Sequence, residues 1–179
     1  MTLSTLVHRT FAGVLVTAAL SFPVHRAAAQ SDHDMQTLAN YHLTESGLRK
    51  YYAANGNLMK AVMKDTLLAD AFGSAMRDGQ DIHAMAAEYD HVPAFKRALA
   101  SAGITSRDYV TFTLSYMQAS MTYGLMTQGP EKLRIKEVPK GTPKENVDFV
   151  RTHQALIQQL DKELKSLTPP DSGGADASA

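Results

Sequence analysis

Apolar residues along most of this chain recur three and four positions apart, the spacing of a helix face, and only one short stretch alternates as a strand does. Leu48, Tyr51, Tyr52, Leu58, Met59, Val62 and Met63 form the first stripe. Thr44 precedes it as an N-cap, and Glu45 stands four residues before Arg49, the favourable order for an ion pair on a helix. Asn55-Gly56-Asn57 interrupts the stripe. Glycine costs roughly 1 kcal/mol against alanine inside a helix, so a kink or break is expected there. Asp65 reads as the cap of a short helix carrying Leu67, Leu68, Ala71, Phe72 and Met76, which ends in a turn at Arg77-Asp78-Gly79-Gln80. Asp81 caps the next piece, Ile82 to Tyr89. Val92-Pro93 opens another helix as N-cap and first residue, with the stripe Phe95, Ala98, Leu99, Ala102 and a left-handed stop at Gly103.

The longest pattern follows. Thr105 is an N-cap with Asp108 three residues on, a shorter acid where Glu completes a capping box, and Ile104 and Tyr109 have the spacing of a hydrophobic staple. This helix is expected to run to about Thr127, with Gly129-Pro130 as its stop. No charged residue occurs from Tyr109 through Gly129. Tyr109, Phe112, Tyr116 and Tyr123 share one flank, and Val110, Leu114, Met117, Met121 and Leu125 share another. The remaining face, Thr111, Ser115, Gln118 and Thr122, is polar but uncharged. A helix apolar nearly all round is a buried one. The expected fold is therefore all-α: a small irregular bundle of five or six helices around a buried central helix. Pro130 to Gly141 is charged and proline-bounded, and Leu133 and Ile135 alternate with charges, so part of it reads as an extended strap on the bundle. Thr142-Pro143-Lys144-Glu145 has the form of a full capping box. A single last helix then carries Val147, Val150, Ile157, Leu160, Leu164 and Leu167, and Pro169-Pro170 stops it.

The N-terminal 29 residues follow a different rule. His8 and Arg9 give a weakly positive start, Phe11 to Phe22 is apolar and uncharged, and Ala27-Ala28-Ala29 is a small-residue cleavage signature. The apolar stretch is short of the roughly 20 residues that span a bilayer. Residues 1–29 therefore read as a signal peptide and Gln30 as the mature start. Retention as a membrane anchor is the alternative, kept open by Arg26 close to the cut. Residues 30–43 read as a polar N-terminal segment, loose at its start, 44–168 as the helical domain, and 169–179 as a disordered Ser/Gly/Ala tail. The expected location is the periplasm or the exterior.

Composition then removes whole classes of chemistry. The chain has 179 residues and no cysteine, which excludes disulfides, thiol catalysis, zinc–thiolate sites and covalently attached c-type haem. Of 18 Lys and Arg, Arg9 and Arg26 lie in the leader. The mature chain keeps 16 against 18 Asp and Glu, a formal charge near −2. That is no footprint for nucleic acid, which calls for a basic face. The sequence carries no G-x-S-x-G elbow for a serine nucleophile.

Two stretches, Ala102-Gly103-Ile104-Thr105-Ser106-Arg107-Asp108-Tyr109 and Asn146-Val147-Asp148-Phe149-Val150-Arg151-Thr152-His153, resemble a group of exported bacterial helical proteins with no assigned activity. The resemblance implies export and a helical fold, and no chemistry.

The candidate sites are few. His153 lies on the flank of the last apolar stripe, and reads either as a ligand or as a half-buried histidine bonded to a tyrosine or a carbonyl. Glu88-Tyr89-Asp90-His91 has the Glu-x-x-His spacing of di-iron bundles, which need two such pairs, and the mature chain has one. His153 with the methionines allows non-covalent haem, although Met at helical spacing ordinarily fills cores. Asp32-His33-Asp34 suits copper or nickel on paper and otherwise belongs to a disordered start. No cofactor or metal is assigned. The expected function is non-catalytic binding of a protein, a peptide or a small amphipathic ligand. The ligand-lining residues singled out are Tyr116, Tyr123 and His153, on the tyrosine edge of the uncharged helix and the stripe facing it. A haem- or metal-binding electron-transfer bundle and an enzyme with an unrecognised site are the alternatives.

Overall fold

A computed structural model describes residues 32–65, 67–75, 81–128 and 134–167. The leader over Met1 to Ala29, the turn at Arg77 to Gln80, the Gly129-Pro130 stop and the tail beyond Leu167 lie outside the described residues. Eight α-helices and no strand occur among the described residues: α1 (Asp32–Ala39), α2 (Glu45–Lys64), α3 (Leu67–Ala75), α4 (Ile82–His91), α5 (Pro93–Ser101), α6 (Ser106–Thr127), α7 (Lys144–Thr152) and α8 (Gln154–Ser166). The chain is all-α, with more helices than the five or six expected.

Most helix ends are where their capping residues put them. The Thr44 hydroxyl accepts the Gly47 amide at 3.1 Å, and Glu45 and Arg49 pair at 2.8 Å. The Asp81 carboxylate accepts the Ala84 amide at 2.6 Å, and Val92-Pro93 opens α5. Gly103 sits at φ +70°, while its amide donates to Ala100 and the Ile104 amide to Leu99, the two bonds of a Schellman stop. Thr105 caps α6 by accepting the Asp108 amide at 3.1 Å, and donates its own hydroxyl to the Asp108 carboxylate at 2.7 Å. The short acid thus serves the cap side chain instead of the cap backbone.

Four expectations fail, the first two for a tertiary reason and the last two for a local one. First, Asn55-Gly56-Asn57 does not break α2, which runs unbroken for 20 residues. Asn55 accepts the Tyr109 hydroxyl at 2.6 Å, and Asn57 donates to the Ala98 carbonyl at 3.1 Å. Gly56 is buried where a Cβ would stand 3.1 Å from Leu167. The polar triplet is a crossing point for three other elements. Second, Asp32-His33-Asp34, read as part of a disordered start, opens α1. Asp34 is only 4% exposed, and its carboxylate accepts the Ile82 amide at the start of α4, where the helix dipole favours an anion. Third, Thr142 is not the cap of α7. Pro143 takes that position with no side-chain cap, in extended backbone that starts the helix one residue later. Fourth, the last helix is two helices. At His153 (φ −104°, ψ 18°) the carbonyls of Asp148, Phe149 and Val150 take side-chain donors from Thr152, His153 and Gln154, and the axis breaks between α7 and α8.

The apolar side chains gather in two clusters. Leu58, Ile82, Met85, Tyr89, Phe95, Leu99, Tyr109 and Val110 belong to the first, with Leu38 from α1. Leu43, Leu48, Tyr52, Phe112, Ala119, Val147, Val150, Ile157 and Leu160 form the second. Both α2 and α6 contribute to each cluster, and Tyr51 packs against both.

Candidate functional site

Burial along α6 changes character halfway. Tyr109, Val110, Thr111, Phe112, Thr113 and Ser115 are buried, as are Ala119 and Thr122 farther on. Met117 is 38% exposed, Met121 52% and Leu125 39%. Spaced by four, these three continue the flank begun by Val110 and Leu114, which the first cluster covers. The helix is buried on most sides from Tyr109 to Ser115 and exposed on one side from Met117 onward, so burial nearly all round is not shown for the helix as a whole.

The reversal has a physical cause. Thr111 and Thr113 donate to the carbonyls of Arg107 and Tyr109, four residues back, at 2.8 and 2.7 Å. A hydroxyl satisfied within its own helix leaves only a methyl for the neighbour. The face of Thr111, Ser115, Ala119 and Thr122 is built of small side chains, and suits close packing. The large Met and Leu side chains are left on the other side. Ser115, 1% exposed, keeps a hydroxyl without a partner among the described residues.

The tyrosine edge becomes a continuous aromatic seam. Tyr51 stacks on Tyr109 at 5.6 Å and on Phe112 at 5.1 Å, with Tyr116 at 5.8 Å, and Tyr109 meets Tyr89 at 5.3 Å. Tyr52 donates to Asp161 at 2.7 Å, joining α2 to α8. Burial pushes the phenols of Tyr51, Tyr52, Tyr89, Tyr109 and Tyr116 above the ordinary tyrosine value. Among the described residues the buried Tyr89 hydroxyl has no partner at hydrogen-bonding geometry, and that of its neighbour Tyr109 is turned to Asn55.

Tyr116 and Tyr123 are half-buried and pack against the second cluster, as does Phe149 beneath His153. The His153 ring stacks on Phe149 at 4.0 Å, and its Nδ1 lies 2.9 Å from the Phe149 carbonyl. A carbonyl only accepts, so Nδ1 carries the proton and the residue acts as a cap between α7 and α8. The ring is thus bonded to a carbonyl, the second of the two readings of His153. Two of the hollows formed by described residues are lined by none of Tyr116, Tyr123 and His153. One, of about 530 Å3, lies between Met126, the end of the strap from Lys136 to Gly141, and Lys144 at the start of α7. The other, of about 480 Å3, lies where Asp90 accepts the Ser106 hydroxyl at 3.0 Å, with Lys96 3.9 Å away.

Glu88 is half-buried and His91 exposed at the end of α4. No group of three or more His, Asp or Glu side chains among the described residues is placed to hold a metal ion. No described helix is long and apolar enough to cross a membrane.

One residue that carries much of the architecture has no signal in the sequence. Asn146 is 1% exposed, accepts the Leu43 amide at 2.8 Å and donates to the Tyr41 carbonyl at 2.8 Å. It pairs with an extended backbone more than 100 positions away, and nothing local marks it. Among protein-family models, curated proteins and solved structures, nothing matches this chain.

Proposed function

We propose that this is an exported, non-catalytic binding protein, and that its partner is an amphipathic helical peptide segment laid along the second half of α6. The observation that carries the reading is the Met117, Met121 and Leu125 ridge, exposed on a helix with no charge from Tyr109 to Thr127. Its one-helix width and i, i+4, i+8 spacing match helix-in-groove recognition, in which Met side chains adapt to the bound face. Three partly covered side chains fall far below the roughly 800 Å2 per partner of a standard interface, so the ridge suits a single helix better than a second folded copy. At Gly124, on the same half of α6, a Cβ would meet nothing within 4 Å, leaving room for close approach. Export is supported by the zoned leader with its Ala27-Ala28-Ala29 end. The buried part of α6, with α2 beside it, is the platform that holds the ridge.

The test is a photoreactive residue at position 121 in the exporting cell, with one at Lys162 on the exposed side of α8 as the control. A discrete adduct at 121 and none at 162 is expected, on a protein whose intact mass begins at Gln30. Equal labelling at both positions, or none at 121, would overturn the binding role of α6. A mass that retains Met1 to Ala29 would overturn export by cleavage and leave the adduct result standing on its own.

A further inference from the structure

We infer a second binding site in the hollow between Met126 and the strap, suited to a small amphiphile with an anionic head and a short alkyl chain. It stands apart from the α6 ridge and does not rest on that reading. Lys136, Lys140 and Lys144 all line this hollow of about 530 Å3, and none of them makes an ion pair among the described residues. Glu137 lines it too, so the local balance is two positive charges. The mature chain carries a slight negative excess, so three ammonium groups around one depression are a local departure from its average. Lys144 is also the first residue of α7, whose N-terminus no side chain caps, and the positive end of the helix adds to the field.

The floor is apolar. Met126 and Val138 line the hollow and pack against the second cluster, so their exposed sides form the rim of the core. The strap is tied down where Gln118 reaches the Gly141 carbonyl at 3.5 Å, a weak contact at the limit of a hydrogen bond. The volume falls in the roughly 300–1,000 Å3 range of small-molecule sites. A head with one or two negative charges meets the lysines, while a short chain covers Met126 and Val138. A polyanion is disfavoured by Glu137. Carboxylate and phosphate heads share this chemistry, and the experiment separates them.

The test uses the mature protein labelled for amide NMR, titrated below micelle-forming concentrations with decanoate, decyl phosphate, decanol and inorganic phosphate. Saturable shifts of the Gly141, Thr142 and Lys144 amides with decanoate, decyl phosphate or both are expected, the pattern identifying the head. Lys136→Gln, Lys140→Gln and Lys144→Gln together should weaken binding about tenfold, the sum of three exposed charge contacts. The corresponding Arg substitutions should restore it. Decanol binding as tightly would remove the anionic head from the proposal. Inorganic phosphate binding as tightly would remove the alkyl chain. Shifts confined to Met117, Met121 and Leu125, or binding unchanged in the Gln variant, would overturn this site. Failure here leaves the cross-link at position 121 unaffected.

Discussion

Gly47 sits in the first turn of α2 and gives its amide to the Thr44 hydroxyl. A Cβ there would stand 2.9 Å from Cε2 of Phe112, a ring with no exposed surface, and 3.1 Å from the Thr44 hydroxyl. Alanine in a free helix gains about 1 kcal/mol over glycine. Here the added methyl meets a fixed ring and the cap at once, and overpacking of that kind costs about 1–3 kcal/mol. Gly47→Ala is therefore expected to lower the urea midpoint, against the direction of helix propensity. A variant as stable as the parent would mean that Phe112 has room to move. Gly103 presents the opposite case. There φ is +70° and the nearest atom to an added Cβ would be Lys50 Cε at 3.9 Å, so that glycine is demanded by the backbone alone. A left-handed stop can be read from neighbouring residues, whereas the contact of Gly47 with Phe112 cannot.

The element that matters most is α6, whose two halves live in different surroundings. Phe112 to Ala119 lies against both α2 and α7, with the Thr113 hydroxyl bonded inside and Ser115 sealed. Met121 to Thr127 has the ridge on its outer side. Native-state hydrogen exchange should divide accordingly. Amides from Phe112 to Ala119 are expected to exchange only through global unfolding, and those from Met121 to Thr127 through local opening at lower free energy. Uniform protection to Thr127 would mean that the ridge is covered in solution, by a second copy or another segment. An uncharged stretch of this length signals burial because charge is so costly to bury. It cannot tell whether the surface it withholds from water is covered by its own chain or by another.

At the scale of the molecule, aromatic stacking ties the two clusters together, with Tyr51 as the shared member. Tyr41, Tyr51, Tyr52, Tyr89, Tyr109 and Tyr116 all have phenols raised above the ordinary value, burial being the first cause in each. In the unfolded chain these phenols ionise near pH 10. The folded state holds their protons to higher pH, so their contribution to stability is complete below about pH 10 and is lost as pH rises beyond it. The free energy of unfolding, read from urea melts, should hold to about pH 10 and then fall, by about 1.4 kcal/mol per phenol for each unit the pH exceeds the unfolded value and remains below the folded one. With no tryptophan in the chain, tyrosinate absorbance at 295 nm is an uncluttered signal. It should rise together with the loss of helical circular dichroism. Ionisation of these phenols in an intact helical protein would show that water reaches the seam.

Local chemistry determined the helices and most of their ends. Thr44, Asp81, Val92-Pro93, Gly103 and Thr105 act within one turn of themselves, so their roles survive without knowledge of the rest of the chain. Tertiary structure decided everything that depends on a distant partner. It kept α2 whole through Gly56, docked α1 through Asp34 and held Tyr41 and Leu43 on Asn146. It also chose which face of α6 to bury. Helical periodicity specifies that Thr111, Ser115 and Thr122 lie on one side and Met117, Met121 and Leu125 on another. Which side faces inward depends on how closely a neighbouring helix approaches, and small side chains allow the closer approach.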